Sequence, residues 1–211
     1  EIGSGLVGSE MCIRDRGFFK YQEHSVAAHS FKVAEIAQML GDVEELAGNK
    51  VNWQMLYEKS LNHDYTERFI GDIKTPVKYA TPTLRQMLAD VEATMTENFI
   101  KNEIPRDFQD RYRRRLSEGK DETLEGQILS VADKIDLLYE GFGEIEKGNP
   151  EQVFLDIYSE SLSTILQFKN RPSVRYFLDE VLPDMLDEKF ASRDQLAKLT
   201  KETMAEHETG K

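Results

Sequence analysis

Apolar positions recur along most of this chain at the three- and four-residue spacing of an α-helix, and nowhere as the alternation of a strand ladder. Val26, Val33, Ile36, Ala37 and Leu40 form the first stripe, and Ser25 stands where an N-cap is wanted, so the spacing predicts a helix over 26–40. Residues 41–52 are polar and contain glycine, and read as a loop. A second helix is predicted over about 51–63, with Trp53, Leu56, Tyr57 and Ser60 along one face. Gly71-Asp72 ends any continuation, and Thr75 before Pro76 favours an extended or turn conformation, because the residue before proline avoids the helical region. Thr81-Pro82-Thr83 opens a long amphipathic helix carrying Leu84, Met87, Leu88, Val91, Met95 and Phe99, and Pro105 closes the connection after it. Leu124, Ile128, Val131, Ala132, Ile135 and Leu138 predict a helix over 122–147, broken by Gly148-Asn149-Pro150. Helices over 153–168 and from 172 to about 190, and a charged last one from Ser192, complete the reading. The expectation is an all-α fold of about eight helices, one domain over residues 17–211.

Composition narrows what such a fold does. The 211 residues suffice for one domain with a real core. The formal net charge of -12 repels phosphate backbones and argues against a nucleic-acid polymer as partner. A small anionic substrate stays open, because a bound cation overrides the global field locally. No apolar run approaches the roughly 20 residues of a bilayer span, so no membrane partner is expected. The single cysteine, Cys12, forms no internal disulfide and fits a reducing, cytoplasmic location. Residues 1–16 lack the charged start and apolar core of a signal peptide. Within them, GSEMCIRDR resembles the translated linker of mis-joined metagenomic reading frames, so 1–16 read as a non-native leader in place of native residues. The basic run 111–115 reads as a solvated helical face paired with acids, a basic lip for an anionic substrate being the lesser reading.

Candidate chemistry gathers at His63-Asp64, with Glu67 about one helical turn on and Asp72 after it. A neutral imidazole beside a carboxylate suits Zn, Mn, Co or Fe, but two ligands are too few to hold an ion. His29 lies on the first stripe, three after Val26 and four before Val33, and faces inward. A lone inward histidine is more often a core residue bonded to a carbonyl than a ligand. His24 is off the stripe and reads as solvated. Asp133 stands in the row Leu129, Asp133, Leu137; a carboxylate with such neighbours needs an arginine, a helix end or a metal. Asp136 lies to the side and is expected to be exposed.

The order His29…His63-Asp64…Asp133 on helices resembles the HD-domain metal-dependent phosphohydrolase superfamily, whose signature is H…HD…D on an all-helical core. Val26-Ala27-Ala28-His29-Ser30, and Glu67…Gly71-Asp72…Thr75-Pro76-Val77-Lys78-Tyr79 after the pair, are similar to its bacterial 5′-deoxynucleotidase branch. The resemblance implies that His29, His63, Asp64 and Asp133 bind one divalent ion, whether Co, Mn, Mg, Zn or Fe. It implies that Glu67 and Asp72 act in the chemistry, on a nucleoside monophosphate that loses its 5′-phosphate. On that reading four ligands leave about two positions of six, one for water and one for a phosphate oxygen. Glu67 is the choice for general acid/base, Asp72 orients water or protonates the leaving oxygen, and Lys78, Arg68 and Thr75 face the phosphate. Two alternatives stand beside it: another HD-domain phosphodiesterase or alarmone hydrolase, and a non-catalytic module that binds metal and nucleotide. A two-metal diesterase usually needs further histidines, and this chain has 4 in all. Phe154, Leu155, Tyr158, Phe177 and Leu178 on the C-terminal helices are either the face of a homodimer or core.

Overall fold

The helix over Leu124–Glu146 has almost no solvent side: Ile128, Leu129, Val131, Ala132, Ile135, Leu138, Phe142 and Ile145 are buried around its whole axis. A helix buried on every side must be enclosed by others. The computed structural model, which describes residues 19–21, 25–66, 81–117 and 119–209, shows which ones. In chain order they are α1 (Val26–Leu46), α2 (Trp53–Asn62), α3 (Pro82–Glu103), α4 (Arg106–Ser117), the central α5 (Leu124–Glu146) and α6 (Gln152–Leu166). Next comes one run of α7 (Pro172–Tyr176), a π turn (Phe177–Val181) and α8 (Leu182–Asp187), followed by α9 (Arg193–Thr209). With that run taken as one rod, eight helices and no strand occur among the described residues, in line with the periodicity. α5 packs on α6, α1 and α2, α9 covers α6, and the α3–α4 pair meets the rest through α2.

Phe154, Tyr158 and Phe177 are fully buried, and Leu155 and Leu178 pack partly buried against the same core. These five residues therefore belong to the core or pack against it. Burial pushes the Tyr158 phenol up to about 12, and its hydroxyl is satisfied by Thr200 Oγ1 at 2.8 Å. On α3 the predicted stripe is not a core face: Ile100 is its buried residue, while Met87 and Val91 are exposed. That helix does begin as its sequence demands, with Thr81 capping the Leu84 N–H and Pro82 in the first turn. The basic run behaves as a paired face. Arg113 holds Glu97 through two 2.9 Å bonds, and Arg115 lies 2.7 Å from Glu58. The Arg115 guanidinium, and after it the Gln54 amide, bring the Glu58 carboxyl down to about 2.

α1 continues through Gly41 to Leu46, where a loop was expected. The glycine is there for contact with α2: a Cβ on Gly41 would lie 2.8 Å from Trp53 Cη2. The helix ends instead at Gly48, whose φ of 91° lies in the left-handed region that glycine tolerates. α5 ends the same way at Gly148, φ 78°. In both, the asparagine after the glycine donates its N–H to the carbonyl five residues back, Asn49 to Glu44 at 3.0 Å and Asn149 to Glu144 at 2.9 Å. Its side-chain amide bonds the carboxylate of the same glutamate, at 2.6 and 2.8 Å. Each glutamate then holds a distant strand of chain. Glu44 accepts from the N–H and hydroxyl of Ser173 at 3.1 and 2.6 Å, and Glu144 accepts from the Tyr21 N–H at 3.0 Å. The two helices that flank the site are thus fastened by one device used twice.

Glu44→Ala strands the two Ser173 donors, its N–H and hydroxyl, in the interior. At roughly 1.5–3 kcal/mol for a hydrogen bond to a charged group, urea unfolding should show a loss of at least about 3 kcal/mol. A loss below about 1 kcal/mol would mean that the α1 end is held by apolar packing instead.

Candidate metal centre

Three helices bring their polar residues to one point. His29 sits in the first turns of α1, behind the Ser25 cap, and is 1% exposed. α2 stops at Asn62, so His63 is its C-cap and Asp64 follows in the turn over 63–66. That turn is held from three sides. Tyr65 N–H donates to the Asn62 carbonyl at 3.0 Å, the Tyr65 ring lies 5.7 Å from that of Phe99 on α3, and the Thr66 hydroxyl donates to Glu92. α5 presents Asp133 and, one turn on, Asp136, both buried.

The outer edges of the two imidazoles decide the character of the centre. His63 Nδ1 lies 2.8 Å from the Ser60 carbonyl oxygen, which can only accept, so the ring proton is on Nδ1. His29 Nδ1 lies 2.6 Å from Asp136 Oδ2 and donates to that carboxylate. Both Nε2 atoms are then bare lone pairs, and they face each other at 3.1 Å. Asp133 Oδ1 lies 3.2 and 3.7 Å from them, and Asp64 Oδ2 3.3 and 3.5 Å. Four acceptors without a proton among them repel, and a cation at their common centre reverses the sign. Bonds of about 2.1 Å to a divalent ion put adjacent donors about 3.0 Å apart in octahedral and about 3.4 Å in tetrahedral geometry. The observed separations run from 3.1 to 3.7 Å, from within that interval to slightly above it. His29, His63 and Asp64, whose donor atoms all lie within 4.8 Å of one another, are a set that can hold a divalent ion, with Asp133 beside both imidazoles.

Charge around the donors is arranged to match. Asp133 Oδ2, the oxygen turned away from the imidazoles, lies 2.7 Å from Lys120 Nζ and 3.5 Å from Lys134 Nζ. Lys32 Nζ is 3.9 Å from Asp136 Oδ1. Burial pushes the Asp133 carboxyl up. Lys120 and Lys134, beside its outer oxygen, oppose burial and favour the charged carboxylate. A cleft of about 330 Å³ between α2 and α4 is lined by Asn52, Glu58, Arg114 and Arg115, among others, and contains none of the four donors. Converging lone pairs, not open volume, mark the centre.

His29, His63, Asp64 and Asp133 therefore meet, from segments up to 104 residues apart, as the H…HD…D spacing implies. Glu67, Arg68, Asp72, Thr75, Lys78 and His24 lie outside the described residues. Asp136 corrects an expectation: it is 5% exposed, not solvated, and carries the proton side of His29. Because α5 is enclosed all round, leaving its apolar stripe does not lead to water; Glu140 and Glu144 on it are buried too. The signal was present as a second acid one turn beyond a predicted ligand. Lys120 had no such signal, since it stands in a connection without periodicity.

The YfbR-like 5′-deoxynucleotidase family model matches residues 10–185. A 5′-deoxynucleotidase from Vibrio parahaemolyticus is 28% identical over 160 residues, 75% of this chain and 80% of its own length. One from Pasteurella multocida is 24% identical over 163 residues, covering 77% and 82%. A solved HD-domain phosphohydrolase from Listeria innocua is 61% identical over 95% of each chain, with a TM-score of 0.89. A conserved hypothetical protein from Pyrococcus furiosus, 19% identical over 85% of this chain and 94% of its own, shares the fold with a TM-score of 0.60. This chain belongs to the YfbR-like 5′-deoxynucleotidase family.

Proposed function

We propose that this protein is a phosphomonoesterase that removes the 5′-phosphate from nucleoside or deoxynucleoside monophosphates, working in the cytoplasm with one divalent ion at the centre just described. The observation that carries the reading is the proton-free convergence of the two Nε2 atoms with Asp64 and Asp133. Family membership and the 5′-deoxynucleotidase activity named for its relatives supply the substrate class. His29, His63, Asp64 and Asp133 hold the ion, which is Co, Mn, Mg, Zn or Fe. When bound it supplies a polarised phosphoryl oxygen and a water of lowered pKa.

The protein's own residues do the rest. Asp136 and the Ser60 carbonyl keep the ring protons on the outer nitrogens, so the inner ones stay free to ligate. Glu67 takes a proton from the attacking water as its oxygen bonds to phosphorus. The bond from phosphorus to the 5′-oxygen breaks in the same displacement, and Asp72 delivers the proton that this oxygen needs to leave as an alcohol. Lys78 and Arg68 offset the charge of the phosphate dianion, and Thr75 binds the substrate with them. The products are a nucleoside and inorganic phosphate.

The direct test is phosphate release from a panel of ribo- and deoxyribonucleoside 5′- and 3′-monophosphates, with Mn, Co, Mg or Zn added in turn. Release from 5′-monophosphates that stops on chelation is expected; no release from any member with any ion would refute the reading. Glu67→Gln should lower kcat by about 100-fold or more while Co binding measured by calorimetry stays at the wild-type level. Asp136→Ala frees the His29 ring to change tautomer, and metal affinity should fall about 10- to 100-fold with helical circular dichroism unchanged.

A further inference from the structure

The proposed reaction gives Lys120 nothing to do, yet the structure places it with care. It stands in the link between α4 and α5, and both of its neighbours are fastened. Lys59, itself 3% exposed on α2, donates to the Gly119 carbonyl at 2.9 Å and to Asp121 Oδ2 at 2.7 Å. Asp121 also accepts from the N–H of Thr123 at 3.0 Å and from its hydroxyl, and Thr123 caps α5 by accepting from Gly126 N–H at 3.1 Å. Gly126 leaves no room for a side chain there: a Cβ would lie 2.0 Å from Asp121 Oδ1 and 2.6 Å from its backbone. Lys120 itself is exposed, with its side chain 42% accessible, but the chain on either side of it is fixed. Held so, Lys120 Nζ reaches Asp133 Oδ2 at 2.7 Å, while Oδ1 of the same carboxylate faces the imidazoles. Lys134, at 3.5 Å from Oδ2, adds charge without a good hydrogen bond.

We propose that Lys120 is a positioning residue that makes Asp133 a one-oxygen ligand. A carboxylate beside a divalent ion can bind through one oxygen or both. An ammonium on Oδ2 fixes the rotation of the group and occupies the lone pairs that a second bond to the ion would use. With Asp133 held to one oxygen, four protein donors leave two of six positions open, one for water and one for phosphate. With Asp133 chelating, only one is left. Lys120 also returns a positive charge to a centre where two aspartates cancel that of the ion, which favours a phosphate dianion. The inference rests on the metal reading of the centre and not on the identity of the substrate.

Lys120→Met keeps the length of the side chain and removes its charge, and Lys120→Arg restores the charge. Each is loaded with Co(II), and four quantities are read: the visible absorption band, the Co(II) dissociation constant, the thermal midpoint, and kcat and KM on a nucleoside 5′-monophosphate. For Lys120→Met we expect Co(II) bound no more weakly than by wild type, with the band changed in position or intensity. Its kcat should fall about 10-fold. The thermal midpoint should stay within about 2 °C, since a partly exposed ion pair contributes little to stability. Lys120→Arg should return both band and rate. A wild-type band and kcat in Lys120→Met would overturn the proposal, as would a loss of Co(II) affinity that arginine does not restore. If no form hydrolysed any monophosphate, the substrate reading would fail, and a changed band in Lys120→Met would still uphold the clamp.

Discussion

Two imidazole nitrogens without protons, 3.1 Å apart in the interior, push each other away, and everything around them serves to hold them there. The bonds that matter most are on the far side of each ring. Were either proton to move from Nδ1 to Nε2, the pair would form an ordinary hydrogen bond and the centre would be closed by a proton. Asp136 and the Ser60 carbonyl prevent this, and so select a metal over a proton. The carboxylates sharpen the same demand, because Asp133 is buried and a buried charge requires a countercharge.

Acidic residues in the interior also do the structural fastening. Glu44 receives the start of α7, Glu144 receives Tyr21, and Glu125 accepts the Asn52 N–H at 2.7 Å where α2 begins. Each of these carboxylates satisfies backbone donors that a helix end or an incoming segment would otherwise bury unmet. Part of the net charge of -12 is thus internal, spent on joints between helices. The joints matter for the centre because α1 and α5 carry three of the groups in it, His29, Asp133 and Asp136.

Much of this was legible in the residue order. Helical periodicity located the main rods, Ser25 and Thr81 stand at helix starts as caps, and His29 and Asp133 were recognised as inward from their apolar neighbours. Other readings failed for definite reasons. Gly41 looked like a helix break, because a glycine that ends a helix and one that admits a neighbouring tryptophan are the same letter. Asp136 looked exposed, because a stripe identifies the most apolar face of a helix without saying whether the opposite face meets water. The stripe on α3 looked like core, because amphipathicity shows that a face is apolar and does not name what lies against it.

Taken alone, the order of residues determined the fold class and pointed to the candidate donors. Both follow from local periodicity and from side-chain chemistry that does not depend on neighbours far along the chain. Only the tertiary structure decided which nitrogen of each histidine faces the centre, that Asp136 serves His29 from within, and that Lys120 rests on the outer oxygen of Asp133. Those are matters of a few tenths of an ångström between segments tens to a hundred residues apart. They are settled by how α1, α2 and α5 pack, which no local pattern encodes.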